Sequence, residues 1–223
     1  MERDAILSGI LKAGVVPVVR TSTPESAIRC VESLEKGGIP VAEVTMTVPG
    51  ALRALQSLAA EFGDRVLLGA GTVLDRDTAR AALQSGARFL LTPGLDVEMI
   101  EWARSESQVI LAGALTPTEV LKAWKSGADV VRVLPCNAVG GAAYIRSLRA
   151  PFPEIPLMPI GGVTLENVGD YFRAGAVGVG VSGALIDSAS VRQGRYEIFV
   201  ERARRFVDAI KRTRRDLAAR PNV

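Results

Sequence analysis

The sequence predicts an α/β protein folded as a single (β/α)8 barrel, or TIM barrel, over residues 1–223. Four similar segments each end a helical pattern with a glycine and then begin an apolar run. The aligned glycines are Gly38, Gly86, Gly127 and Gly175, spaced 41 to 48 residues apart. This interval is too long for one strand–helix unit and suits two. Further apolar runs lie midway, so eight strands are expected to alternate with eight helices.

The four intervening runs, residues 15–20, 66–73, 109–115 and 157–163, are continuously apolar. Such runs are typical of parallel strands that are covered on both faces. An open, doubly wound sheet is the alternative architecture, but it does not explain the fourfold spacing. The barrel is therefore favoured, with one helix before the first strand and a long helix at the C-terminus.

Helix starts are marked by capping residues, with proline near the first turn in several cases. The marked segments are residues 21–25, 47–51, 74–79, 115–119 and 163–167. Each lies just after an expected strand, as strand–helix alternation requires.

The composition suits a compact core, because 48% of the residues are hydrophobic and the mean hydropathy is +0.23. The net charge of +3 reflects a basic C-terminal segment, in which ten basic residues face four acidic ones between Arg192 and Arg220. Apolar residues recur there at helical spacing. An amphipathic helix with a solvated basic face is the simpler interpretation, so we expect no nucleic-acid partner.

Several function classes are disfavoured by what the sequence contains. Cys30 and Cys136 lie far apart, without the spacing of a disulfide framework or a zinc site, and a reducing cytoplasm is the default. The absence of histidine removes the commonest metal ligand and general base. We expect no metal, no cofactor, no signal peptide and no membrane-spanning run.

In a barrel of this kind, chemistry collects at the carboxyl ends of the strands. Gly161, Gly162 and Gly183 lie at the ends of strands seven and eight, where backbone N–H groups could bind a phosphate or carboxylate. Tight turns without a ligand are the simpler interpretation of the same glycines. Thr72, at the end of strand three, could hold a carboxylate with its hydroxyl.

Two charged residues lie inside expected strands, where burial is costly without a partner. Arg132 interrupts the apolar run of strand six, and Glu43 lies within strand two. A salt bridge from Glu43 to Arg132 or Arg20 is one explanation. The other explanation is that Arg132 binds an anionic ligand and Glu43 acts as a catalytic base. The two explanations are compatible, because each can apply in a different state of the protein.

Seven segments, in order from about residue 7 to residue 187, resemble the 2-keto-3-deoxy-6-phosphogluconate / 4-hydroxy-2-oxoglutarate aldolase family. They are EVTMTVPGAL, LLGAGTV, FLLTPGLD, GALTPTEV, VRVLPCNAVGG, APFPEIPLMPIGGVTLEN and GVGVSGAL. The resemblance implies a homotrimeric barrel that cleaves a 2-keto-4-hydroxy acid to pyruvate and an aldehyde. It implies a lysine Schiff base and no metal.

Carried over by position, the resemblance assigns Glu43 as the acid/base residue and Thr72 as a neighbour of the pyruvate carboxylate. The backbone at Gly161 and Gly162 is implied to help bind substrate. Thr47 falls where many members have a substrate-binding arginine.

Other positions depart from the family pattern. Arg132 occupies the position of the Schiff-base lysine, Ile160 that of a threonine, and Gly183 that of a serine. Ser182 lies one position earlier than this serine, and one step along a strand reverses a side chain's direction. Arg20 matches an arginine found in a subset of members and could bind an anion.

A guanidinium stays protonated and forms no imine with a keto acid, although it can bind a carboxylate or keto oxygen. The five lysines, Lys12, Lys36, Lys122, Lys125 and Lys211, lie in helical patterns. We therefore expect a family member that binds a small anionic keto acid or phosphorylated sugar acid, with Schiff-base catalysis in doubt. The alternatives are an imine-independent lyase using Glu43 as base, or a catalytically silent binding or assembly protein.

Overall fold

The computed structural model describes residues 2–219 and forms a barrel of eight parallel strands. The strands are Val15–Val19 (β1), Val41–Thr45 (β2), Leu67–Gly71 (β3), Phe89–Leu91 (β4), Val109–Ala114 (β5), Val130–Val133 (β6), Leu157–Pro159 (β7) and Val179–Val181 (β8). Neighbours in space follow chain order, and β1 pairs with β8. A bridge between Ile160 and Gly180 brings β7 against β8. The predicted (β/α)8 barrel is confirmed.

Helices cover the outside of the barrel and close one of its ends. They are Arg3–Ala13 (α1), Pro24–Lys36 (α2), Ala51–Phe62 (α3), Arg76–Gln84 (α4), Val97–Ser105 (α5), Pro117–Ser126 (α6), Ala142–Arg149 (α7), Val168–Arg173 (α8), Ser188–Arg192 (α9) and Glu197–Ala218 (α10). Short 3₁₀ turns lie at Gly63–Arg65 and Cys136–Val139. The expected helix before the first strand is α1, and the expected long C-terminal helix is α10.

Side-chain caps form at three of the five marked helix starts, whereas α3 begins after Gly50 and α8 after Asn167 without one. Thr23 accepts a hydrogen bond from the Ser26 N–H at the start of α2, and Asp75 does the same for α4. Thr116 and Glu119 form a reciprocal capping box on α6. The four repeated glycines all have a positive φ, between 91° and 105°, which side chains other than glycine rarely adopt.

The barrel interior has an apolar lower end, at the amino ends of the strands. Val41, Leu67 and Val109 each begin a strand and point inward. Ile6 and Ile10 of α1 pack against this layer and seal it from below. Side chains alternate across a strand, so the same inward rows reach the opposite, upper end two and four residues later.

Within residues 2–219, no helix is long and apolar enough to cross a membrane.

Candidate active site

A buried ion pair lies inside the upper end of the barrel. Glu43 is two residues after inward-facing Val41 on β2, and Arg132 is two residues after inward-facing Val130 on β6. Their side chains therefore meet across the interior, where Arg132 Nη2 donates to Glu43 Oε2 over 2.9 Å. The glutamate side chain is 2% exposed and the arginine 4%. The expected contact between these two residues is confirmed, and Arg20 is not the partner.

Two glycines at strand ends allow close packing around this pair. A methyl group added at Gly71, at the end of β3, would overlap Glu43 Oε1. Gly113 is in register with Arg132 on the neighbouring strand β5, and a methyl group there would overlap the Pro93–Gly94 backbone. The absence of a side chain at Gly71 thus leaves room for the Glu43 carboxylate, and its absence at Gly113 lets the segment after β4 pack against β5.

The Arg132 guanidinium has unused hydrogen-bonding capacity. Its Nε is fully buried and has no partner in the part of the chain that the structure describes. Among those residues only its Nη2 is engaged, by Glu43. Buried donors of this kind are costly unless something accepts from them. The arrangement therefore suits an anionic or carbonyl oxygen entering from the mouth.

The polar residues expected around the mouth lie at or just beyond strand ends and are half-buried or exposed. Thr72 directly follows β3 and is half-buried. Thr47 is exposed, and its hydroxyl shares a 2.6 Å hydrogen bond with that of buried Thr45. Arg20 follows β1 and is exposed at the rim. The structure thus places Glu43 and Arg132 at the bottom of the mouth, with these three residues at or near strand ends above it.

Ile160 follows the last residue of β7 and its side chain faces β8. A methyl group added at Gly180 would lie 2.9 Å from Ile160 Cβ and Cδ1. Ser182 and Gly183 follow β8 and are exposed, and a methyl group at Gly183 would meet no atom within 4 Å. One wall of the mouth is therefore apolar at Ile160, and the adjoining turn is open.

Two asparagines that the sequence analysis did not single out as site residues lie against the β7 turn, and one of them, Asn167, hydrogen-bonds to it. Gly161 and Gly162 have φ values of 99° and 69°, and a methyl group on either would crowd the Asn137 side chain. Asn167 donates to the Gly162 carbonyl over 2.8 Å and accepts from the Thr164 N–H over 2.8 Å. Asn167 ends the marked segment 163–167, which was the signal available.

The lysine and cysteine side chains are poorly placed to act as nucleophiles in the barrel mouth. The five lysines all lie on helices, namely α1, α2, α6 and α10, and not at strand ends. Cys136 lies just beyond β6, but it is buried and its burial raises the pKa of the thiol to about 11. A thiolate is therefore scarce at neutral pH. Within residues 2–219, no cluster of three or more histidine, cysteine, aspartate or glutamate side chains could hold a metal ion.

The family model for KDPG and KHG aldolase matches residues 6–201 of the chain. This match covers most of the sequence and all eight strands. The chain belongs to the KDPG and KHG aldolase family. The resemblance seen in the seven sequence segments is therefore confirmed at the level of the family.

Known members of the KDPG and KHG aldolase family are similar over most of their length. A 2-dehydro-3-deoxy-phosphogluconate aldolase of Pseudomonas aeruginosa is 32% identical over 160 residues, which are 72% of each protein. A KDPG aldolase from Legionella pneumophila, solved with pyruvate captured as a covalent carbinolamine intermediate, is 25% identical with a TM-score of 0.82, covering 92% of this chain and 97% of that one.

A third similar structure is a designed cube-shaped protein cage made by fusing symmetric oligomeric domains. It is 28% identical to this chain, with a TM-score of 0.84, and the match covers 92% of this chain and 74% of that one. The cage is a designed assembly, whereas the Legionella structure is an aldolase with a captured intermediate. The barrel shared by these proteins therefore occurs both in an enzyme and in an engineered cage.

Proposed function

We propose that this family member binds a small anionic 2-keto acid in the barrel mouth through Arg132 and forms no imine with it. The observation that carries the proposal is the buried guanidinium, whose Nε has no partner among residues 2–219. A guanidinium fork matches the oxygens of a 2-keto acid, and its donors are strongest for a charged acceptor. The ligand's oxygens would satisfy donors that the protein leaves unused.

The amine required for an imine has no obvious source. The relative from Legionella was trapped with pyruvate as a carbinolamine, the adduct of an amine with a carbonyl. The position that the resemblance assigns to the amine is Arg132 in this chain, and the lysines lie on helices. Arginine does not serve as this nucleophile because its guanidinium stays protonated.

The rest of the ligand is proposed to lie against the strand ends around the pair. Thr72 is assigned to the ligand carboxylate, and Arg20 and Thr47 to the rim. The backbone at Gly161, Gly162, Ser182 and Gly183 is assigned to the far end of the ligand, which is a phosphate if the ligand is a phosphorylated sugar acid. Ile160 is assigned to the wall beside the ligand chain.

Two measurements test this proposal. Calorimetric titration with pyruvate should show binding that is lost in Arg132→Met, and borohydride with pyruvate should leave the mass of the wild type unchanged. In Arg132→Lys, the same treatment should add a pyruvate-derived mass to the residue at position 132. A borohydride adduct on any lysine of the wild type would refute the proposal.

A catalytically silent binding or assembly protein is the second candidate. It is supported by the designed cage, in which a similar barrel belongs to a set of symmetric oligomeric domains. We propose for either candidate a cytoplasmic homotrimer of single-domain chains spanning residues 1–223. Light scattering should then return about three times the chain mass of 23.6 kDa. A monomer mass at micromolar concentration would exclude the trimer.

A further inference from the structure

A cleft of about 410 Å³ lies at the lower end of the barrel, on the opposite side from the mouth. It runs between α1 and α10, and the segments that lead into β2 and β3 complete its lining. Buried Ile39, Leu67 and Ile210 make this lining largely apolar. The volume falls within the range of about 300–1,000 Å³ that is typical of small-molecule sites.

Small residues on α1 keep the cleft open. Ala5, Gly9 and Ala13 line it and are spaced four residues apart, so they share one face of the helix. A methyl group added at Gly9 would overlap Leu67 Cδ1, because α1 lies directly on the start of β3 there. Longer side chains at Ala5 and Ala13 would extend over the apolar lining and bury it. The lining is instead left accessible to a ligand.

The charges at one edge of the cleft are already neutralised by residues of the protein. Asp64 and Arg65 lie in the 3₁₀ turn before β3 and both line the cleft. Asp64 forms an ion pair with Arg88 over 3.7 Å, and Arg65 forms one with Glu35 over 2.9 Å. This edge therefore offers little net charge to a ligand.

The other edge, where α10 meets the end of α1, carries three cations without a carboxylate. Lys12 and Lys211 are exposed, and neither forms an ion pair within the described residues. Half-buried Arg214 donates to the carbonyls of Leu11, Lys12 and Val177, which carry only partial negative charge. Burial lowers the pKa of the Arg214 guanidinium, and no carboxylate opposes that shift. This edge is therefore distinctly positive.

We propose that the cleft binds a small amphiphilic anion, a carboxylate with an apolar chain such as a medium-chain fatty acid. The carboxylate lies on Lys12 and Lys211 beside Arg214, and the chain lies against Ile39 and Leu67. The lysine stems can cover apolar surface while their amino groups stay at the edge. A neutral apolar ligand would leave the cations unmatched, and a small polar anion would leave the apolar lining exposed. An amphiphilic anion satisfies both, and this inference does not depend on the function proposed for the barrel mouth.

Calorimetric titration of the full chain with octanoate tests the inference. Octanoate should bind once per chain, with a Kd of about 1 mM or below. Acetate has the carboxylate without the chain, and 1-octanol has the chain without the charge. Each of these two should bind at least about tenfold more weakly than octanoate, because each makes only half of the contacts.

Charge reversal at the positive edge provides the decisive variant. Lys12→Glu/Lys211→Glu should weaken octanoate binding at least about tenfold, because attraction becomes repulsion. Lys122→Glu/Lys125→Glu makes the same change at exposed residues of α6 that do not line the cleft. This matched control should stay within about twofold of the wild type, because water and salt screen distant charges. Val207→Phe, at a half-buried lining residue, should also weaken binding by filling the cleft.

Three results would overturn the inference without touching the function proposed for the mouth. The first is equal octanoate affinity in the wild type and Lys12→Glu/Lys211→Glu, which would place the ligand elsewhere. The second is 1-octanol binding as tightly as octanoate, or octanoate failing to bind at millimolar concentration. The third is a lower assembly mass of Lys12→Glu/Lys211→Glu in light scattering, which would make the cleft a contact between copies. Circular dichroism establishes folding, and the exposed lysine changes keep the test available if Val207→Phe does not fold.

Discussion

The two ends of the barrel interior use the same inward rows of side chains for opposite purposes. On β2 the row runs from Val41 to Glu43, and on β6 from Val130 to Arg132. At the lower end these rows close against α1 in an apolar cluster. Two residues further up, they carry a buried ion pair next to glycines. One end stabilises the fold, and the other keeps charge and space available at a cost in stability.

This contrast shows which end of the barrel interior stabilises the fold by burying apolar side chains. Each buried aliphatic side chain at the lower end contributes about 1.5–3 kcal/mol. A buried ion pair returns little net stability because desolvation of both charges offsets their attraction. The pair at the upper end is therefore better explained by binding and chemistry than by folding. The following predictions test that difference.

Breaking the ion pair should produce the largest loss. Arg132→Met leaves Glu43 buried without a cation, so the free energy of unfolding should fall by about 3–5 kcal/mol. Urea denaturation measures this change in the free energy of unfolding. The double variant Glu43→Leu/Arg132→Met removes both charges and should recover most of the loss.

The control for this prediction is Arg173→Met, which breaks an exposed pair with Asp170. Its effect should stay below about 1 kcal/mol. If Arg132→Met unfolds at the wild-type urea concentration, the pair carries no buried charge to compensate, and the comparison between the two ends fails.

A cavity at the lower end should lower stability without changing the affinity for pyruvate. Ile10 on α1 is fully buried in the lower cluster. Ile10→Ala should reduce the free energy of unfolding by about 2–5 kcal/mol, and Ile10→Val by about 0.5–1.5 kcal/mol. Pyruvate affinity, measured by calorimetry on the folded variants, should stay within twofold of the wild type. A large drop in affinity would show that the two ends are coupled.

Filling the space at the upper end should lower stability and, unlike the cavity at the lower end, also weaken pyruvate binding. Gly71→Ala pushes a methyl group into Glu43 Oε1, which should cost about 1–3 kcal/mol of stability and weaken pyruvate binding. Gly94→Ala is the matched control, because a methyl group there meets no atom within 4 Å. Equal pyruvate affinity in both variants would contradict the role given to Gly71.

The fold was predictable because its signals are local and repeated. Three signals recur along the chain. They are glycines after helix ends, polar N-cap side chains such as that of Thr116, and continuously apolar strands. Each signal is decided by the residues next to it, so one sequence suffices. Strand alternation then places residues such as Glu43 and Arg132 at the carboxyl ends.

The details of the site depend on contacts between distant segments, which no local pattern reports. Glu43 pairs with Arg132, 89 residues away, rather than with Arg20, 23 residues away, because closure of the barrel brings β2 opposite β6. The approach of Asn137, which lies after β6, to the glycines of the β7 turn likewise depends on how two loops pack. The roles assigned to Thr72, Ile160 and Ser182 remain predictions.

The pKa values of two aspartates at opposite ends of the barrel are shifted in opposite directions. Their effect on the pH dependence of stability is the smallest of the expected effects. Burial raises the pKa of Asp129 at the lower end, although Arg3 and the Ile110 N–H oppose the shift. At the upper end, hydrogen bonds from the Ser190 N–H and then from Arg202 lower the pKa of Asp187. A lowered pKa in the folded state adds stability above the unfolded value, and this is lost as the pH falls. A raised one adds stability at low pH, which is lost as the pH rises.

Urea denaturation of Asp187→Asn and Asp129→Asn from pH 2.5 to pH 7 measures these slopes. Relative to the wild type, Asp187→Asn should be less stable at pH 7, by about 0.5–1 kcal/mol for its partly exposed pair with Arg202. This deficit should shrink as the pH falls below about 4, where carboxylates of unfolded chains become protonated. Asp129→Asn should instead gain on the wild type as the pH rises, because an amide has no proton to lose. Two slopes of the same sign would show that burial does not dominate at Asp129, and the lower end would then tolerate charge as the upper end does.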